Sequence, residues 1–141
     1  MPILDTNPIS ILERRNANAM RLSAYLETFS EDSIYVTVIS YEEQIRGWMA
    51  TLGSARTPFA QVLPYARLLE QLENYCHLQI LPFDSAAADR FQLLRREHRQ
   101  ISSPDLKIAA IALVNNELLI TQNTRDFASI ASLKLKDWTR E

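Results

Sequence analysis

Four acidic residues stand where their surroundings could put them to chemical use. Asp5 ends the apolar run Pro2-Ile3-Leu4, and Glu43 lies three residues after Ser40. Asp105 follows Ser103-Pro104, and Asp126 follows Thr121-Gln122-Asn123 at a short remove. Three of them also have a plain structural reading. Glu43 completes a capping box with Ser40, and Asp105 and Asp126 are first-turn acids favoured by a helix dipole. Asp5 resists that reading, because a carboxylate that closes a buried strand is poorly placed for solvation. If one sheet edge gathers all four, they repel one another and need a cation. An all-oxygen set suits a hard ion that keeps several waters, Mg²⁺ or Mn²⁺. Such an ion polarises a phosphoryl oxygen and activates water, so the set points to phosphodiester hydrolysis. Thr6, Asn7, Thr121 and Asn123 offer short polar side chains to orient the waters and carboxylates.

Other chemistries are excluded by what the chain lacks. Gly47 and Gly53 are its only glycines, so it holds no phosphate-binding glycine loop and no dinucleotide fingerprint. The G-x-S-x-G elbow of a serine hydrolase is absent too. Cys76 is the sole cysteine, which rules out an internal disulfide or a cysteine-based zinc site and fits a reducing cytosol. It reads as a core residue. His77 and His98 have no partner at metal-ligand spacing and read as structural or surface residues. Fifteen basic against 17 acidic residues leave a net charge of −2, with a pI near 5.7. Bulk charge therefore cannot hold the protein on a nucleic acid; a local basic patch would have to. No apolar run approaches the roughly 18 residues of a membrane span. The N-terminus also lacks the basic start of a signal peptide, so a cytoplasmic protein with no membrane attachment is expected.

Positioning the acids falls to the surrounding elements. A chain of 141 residues, 47% apolar and 23% charged, fits one globular domain over residues 1–141. Pro2-Ile3-Leu4 reads as a buried strand, and Asn7-Pro8 as the cap and first turn of a helix reaching about residue 30. The β-branched run 34–39 predicts a second strand, closed by Ser40 as the cap of a helix that Gly53 stops. A further helix over 59–75 is bent or restarted near Pro64. Residues 78–81 predict a third strand, 85–98 a helix, 103–113 another, 118–120 a fourth strand and 133–138 a weaker fifth. Alternating strands and helices indicate a three-layer α/β domain, with a mostly parallel sheet of four to five strands flanked by helices. In such a sheet, ligands bind beyond the carboxyl ends of the strands. The acids fall at that edge.

In this order and spacing the residues resemble PIN-domain ribonucleases, most of all the VapC-type toxins of toxin–antitoxin pairs. The matching segments are Leu4-Asp5-Thr6-Asn7; Ser40, Glu43 and Gly47, similar to S-x-x-E-x-x-x-G; and Asp105 to Ala110, similar to D-x-x-I-A-A. Thr121, Asn123, Asp126 and Phe127 are similar to T-x-N-x-x-D-F, and a late tryptophan follows at Trp138. The resemblance implies that Asp5, Glu43, Asp105 and Asp126 are the catalytic quartet and bind Mg²⁺. It implies an endoribonuclease that leaves a 5′-phosphate and a 3′-hydroxyl, a small antitoxin partner that blocks the site, and a homodimer. Two segments depart from the pattern: Glu42-Glu43-Gln44, and Ser102-Ser103-Pro104 in place of a glycine-containing loop. Neither removes a carboxylate, so altered loop geometry with intact metal binding is expected.

Arg90, Arg95, Arg96 and Arg99, with His98, form a local basic set that suits RNA phosphates. With Asp89 and Glu97 nearby, they also read as a solvated helix face. A catalytically silent scaffold that binds RNA or protein is the alternative to an enzyme, and retention of four crowded acids argues against it. A phospho-acceptor signalling domain needs adjacent acids after the first strand and an acceptor Asp after the third. Asp5 stands alone and Pro82 follows Leu81, so that class is excluded.

Overall fold

A computed structural model describes residues 2–6, 8–9, 17–30 and 33–138. The chain runs β1 (Ile3–Leu4), α1 (Ala17–Leu26), β2 (Tyr35–Thr37), α2 (Val38–Ser54), α3 (Val62–Cys76) and β3 (Gln79–Leu81). It continues with α4 (Ser85–Glu97), α5 (Ser103–Asn115), β4 (Leu118–Ile120), α6 (Thr124–Phe127) and β5 (Lys134–Lys136). All five strands are parallel, in the order β3-β2-β1-β4-β5. The chain thus builds outward from β1 to β3, then crosses back to lay β4 on the other side of β1. That reversal puts the switch point, where α/β sheets bind ligands, between β1 and β4.

The sheet is covered on both faces, and the two-residue period of the strands shows how. Ile3 and Leu119 point into a cluster with Phe91, Leu94, Ile108, Ala109 and Phe127 of α4, α5 and α6. Their neighbours Leu4 and Ile120 point the other way, to Leu22, Leu26, Val36, Tyr75 and Trp138. The register Leu4 to Ile120 keeps both sets in layer. Helix α5 is buried most deeply, with Ile108 to Ala112 fully covered. Small alanines let it lie close to the sheet, which fixes its first turn relative to the strand ends. Among the described residues, no helix is long and apolar enough to cross a membrane.

Several local expectations are corrected. Val38 and Ile39 belong to α2 and not to the second strand, because Thr37 is the cap: its hydroxyl accepts the Ser40 N–H at 3.2 Å. Ser40 therefore sits inside the first turn, and Glu43 is not part of a capping box. A β-branched run carries no mark of where strand gives way to helix; the capping hydroxyl decides it. Gly53 does not stop α2, which runs on to Ser54. The restart near Pro64 is a 3-10 turn at Phe59–Gln61, after which α3 carries Pro64 in its first turn, where no helical N–H is lost. Cys76 is exposed at the end of α3, not a core residue. Asn7, expected as the first helix cap, and residues 10–16 of that helix lie outside the described residues.

Candidate active site

The innermost group is Asp5. Its backbone N–H continues the ladder by donating to the Ile120 carbonyl at 3.0 Å, so the side chain emerges at the switch point. It is 4% exposed. One carboxylate oxygen, Oδ1, accepts the Thr6 N–H at 2.8 Å, and Oδ2 accepts the Thr121 hydroxyl at 2.8 Å. Thr121 follows β4 as Asp5 follows β1, and its Oγ1 in turn accepts the Asn123 N–H at 2.9 Å. The carboxylate is oriented from two strand ends, and among the described residues each oxygen accepts one hydrogen bond and keeps a lone pair free.

A second chain of bonds holds Glu43. The Thr6 hydroxyl donates to Glu43 Oε1 at 2.8 Å, which leaves its oxygen to accept from Ser40 Oγ at 2.9 Å. Ser40 is fully buried in the first turn of α2, so the helix start and the strand end are tied through two hydroxyls. Sequence reasoning missed this role of Ser40 because the Ser40–Glu43 spacing also spells a helix cap. Asp105 is set by its own helix start: Ser102 caps α5, accepting the Asp105 N–H at 3.4 Å, with Pro104 in the first turn. The Ser-Ser-Pro segment is thus a cap in place of a flexible glycine loop. Asp126 lies exposed in α6, beside the buried Phe127, which with Ile130 anchors that turn in the core. Asn123 is half-buried and takes part through its backbone; its side chain does not cap α6.

The electrostatics join the acids into one group. Burial raises the Asp5 carboxyl above its ordinary range, the Thr121 and Thr6 bonds pull it back, and the Asp105 charge raises it again. Glu43 is raised by burial, lowered by Thr6, and raised by the charges of Asp105 and Asp5. Asp105 is raised by burial, lowered by Ser102, and raised by Asp126. Asp105 is the hub: it acts on Asp5 and Glu43 and is acted on by Asp126. The quartet is therefore brought to one edge, with Asp126 coupled through Asp105. Yet among the described residues, no group of three or more acidic, histidine or cysteine side chains is arranged to hold a metal ion between them. The donor chemistry accordingly fits a hydrated hard cation bound through one or two carboxylates, with waters reaching the others, and not a closed protein cage.

The sequence profile of the PIN domain matches residues 3–133. The chain belongs to the PIN domain family. It is 32% identical over 142 aligned positions to the ribonuclease VapC1 of Haemophilus influenzae strain R2866, an alignment covering 98% of each chain. Among solved structures, VapBC-1 from nontypeable Haemophilus influenzae is similar at a TM-score of 0.71 and 26% identity, over 99% of this chain and 98% of that one. A toxin–antitoxin complex from Klebsiella pneumoniae shares the fold at a TM-score of 0.65 and 22% identity, over 98% of each chain. The fold is shared with these proteins, and the four acids of this chain fall at the carboxyl edge of its sheet.

Proposed function

We propose that this PIN-domain protein is a metal-dependent endoribonuclease that acts as the toxin of a toxin–antitoxin pair. The observation that carries the reading is Asp5: a buried carboxylate at the switch point, with burial and the charge of Asp105 raising its affinity for protons. A cation satisfies the same demand that a proton does, and satisfies it for several carboxylates at once. Asp5, Glu43, Asp105 and Asp126 would hold Mg²⁺ or Mn²⁺, Asp5 and Asp105 first among them. Bound there, the ion would supply charge neutralisation at the phosphoryl oxygen and a water of lowered pKa for in-line attack.

The protein's own part is orientation. Thr121 and the Thr6 N–H fix the plane of the Asp5 carboxylate, and the Ser40–Thr6 relay fixes Glu43. Asn123 holds Thr121 through its N–H. Asn7, two residues after Asp5 in the sequence, would add a further short polar side chain. Hydrolysis would leave a 5′-phosphate and a 3′-hydroxyl.

The named relatives support a ribonuclease, and the toxin–antitoxin complex supports a small protein partner. An uncovered apolar face also supports that partner: Phe59 is 89% exposed, with Val62, Leu63, Tyr65, Leu69 and Leu72 of α3 exposed beside it. A homodimer belongs to the same proposal, checked by sedimentation. The deciding experiment treats purified, partner-free protein with total RNA in Mg²⁺ or Mn²⁺ and in EDTA, then maps the new 5′ ends. Chelator-sensitive cleavage at defined positions is expected. Cleavage that persists in EDTA would overturn the metal site, and no cleavage in either condition would favour the silent scaffold.

A further inference from the structure

A second charged feature adjoins the acidic edge and has no part in it. A cavity of about 550 Å³ opens where α4 ends and α5 begins. It is lined by Arg95, Arg96, His98, Arg99 and Ile101 from the end of α4 and the turn after it, and by Ser103 and Leu106 of α5. Its volume lies within the usual range for small-ligand sites. Arg95 is held over the Phe91 ring, 5.5 Å from its centroid. Arg96 and Arg99 are exposed and make no ion pair among the described residues. Glu97, the acid nearest in sequence, lies 3.9 Å from the His98 ring. His98 itself is buried, its Nδ1 3.4 Å from Ser129 Oγ, so it is part of the wall and not a mobile group.

Two arguments indicate what such a cavity takes. Three guanidinium groups around one opening give it a positive potential that draws an anion, and the guanidinium fork matches phosphate oxygens two at a time. Position supplies the other argument. Ser103 and Leu106 face the cavity from the same first turn that turns Asp105 toward the acids. A helix with its side chains is only about 10–12 Å across, so the cavity and the acidic edge flank a single helix start. A polyanionic strand approaching four carboxylates is repelled, and fixed positive charge one helix-width away offsets that repulsion.

We infer that this cavity is a phosphate subsite, in which Arg96 and Arg99 grip the backbone of the RNA strand and lay it across the start of α5 toward the acids. The inference rests on the ribonuclease reading and adds a binding site to it. The solvated-face reading of these arginines predicts no such grip.

The test is the double variant R96Q/R99Q, with R96K/R99K as its charge-preserving partner. Binding of a labelled single-stranded RNA oligonucleotide is measured in EDTA at several salt concentrations. Every RNA phosphate left without its cationic partner lowers the slope of log affinity against log salt by about 0.7. A fall of about 1.4 is therefore expected for R96Q/R99Q, with about tenfold weaker binding at low salt. R96K/R99K restores most of the slope, and melting temperatures stay within about a degree of wild type. A wild-type slope in R96Q/R99Q overturns the subsite while leaving the nuclease intact. If R96Q/R99Q loses binding to hexaglutamate but keeps its RNA slope, the cavity is a protein-docking site and the inference is wrong. Wild type that neither binds nor cleaves RNA overturns the underlying reading instead.

Discussion

The acidic edge has a deep end and a rim, and they are built by opposite means. At the deep end Asp5 and Thr121 grow out of adjacent parallel strands, and every polar atom named there has a fixed partner. At the rim Asp126 sits in a four-residue helix, exposed to solvent, where its charge raises the Asp105 carboxyl. A carboxylate placed by a sheet ladder has its position decided by the core. One placed by a short surface turn can move, and its charge is screened. Chemistry that needs a fixed point of reference should therefore depend on Asp5 and Asp105 far more than on Asp126.

The largest expected effect follows at once. Asp5→Ala or Asp105→Ala should lower RNA cleavage by roughly a hundredfold or more, since even an outer partner of a metal ligand costs 10–100-fold. Asp126→Ala should cost less than about tenfold, the lesser effect of a screened rim charge. Single-turnover cleavage of one defined RNA by the three variants measures the ratio. Equal losses at Asp5 and Asp126 would erase the distinction between deep end and rim.

This division also explains what can be read from the sequence. Asp5 is visible because an acid directly after an apolar strand has no ready structural explanation, and the strand–helix alternation carries the sheet with it. Asp105 is visible because Ser103-Pro104 and the alanine-rich run together mark a helix start, although the hydroxyl that caps it is that of Ser102, one residue earlier. The Thr6–Ser40–Glu43 relay is hidden, because Ser40 three residues before Glu43 fits a helix cap equally well, and only the true cap at Thr37 separates the two. Hydroxyls carry no sequence signal for which partner they choose across 34 residues of chain. The exposed apolar face of α3 is hidden for a different reason. Its helical periodicity is plain, but periodicity does not say whether the protein's own core or another chain covers the face.

A middle effect tests how the deep end is held. Thr121→Val keeps the shape and β-branching of the side chain but removes the hydroxyl that donates to Asp5 and accepts from Asn123. Titrating Mn²⁺ into the variant should show metal affinity reduced by roughly 10–100-fold, the usual cost of losing a partner that orients a ligand. Stability should fall by about 1–3 kcal/mol, because the Asn123 N–H loses its acceptor. If the variant binds Mn²⁺ as wild type does, the strand-end pairing is structural and not a support for the metal.

The smallest effect concerns charge alone and needs no substrate. Burial raises the proton affinity of Asp5, Glu43 and Asp105 in the folded protein, with the Asp105 charge adding to the first two. Between the ordinary carboxylate range and those raised values, the folded chain therefore holds more protons than the unfolded chain. Stability of the metal-free protein must then fall as pH climbs through that window and remain lower at neutrality. Asp5→Asn removes one of the charges responsible. At pH 3 the two proteins should melt together, because both side chains are neutral: the carbonyl oxygen of either accepts the Thr6 N–H, and the carboxyl O–H or one amide N–H can donate to the Thr121 hydroxyl. At pH 7 in EDTA the variant should be more stable by on the order of 1 kcal/mol, since a buried charge without a counter-charge is what it lacks. Adding millimolar Mg²⁺ should reverse the order, because only wild type retains the full ligand set and gains stability by binding. Thermal melts at the two pH values, with EDTA and with Mg²⁺, give all four comparisons. A variant that melts below wild type in EDTA at pH 7 would show that Asp5 is held for its two hydrogen bonds, and that the charge at the deep end of the site is no burden needing a cation.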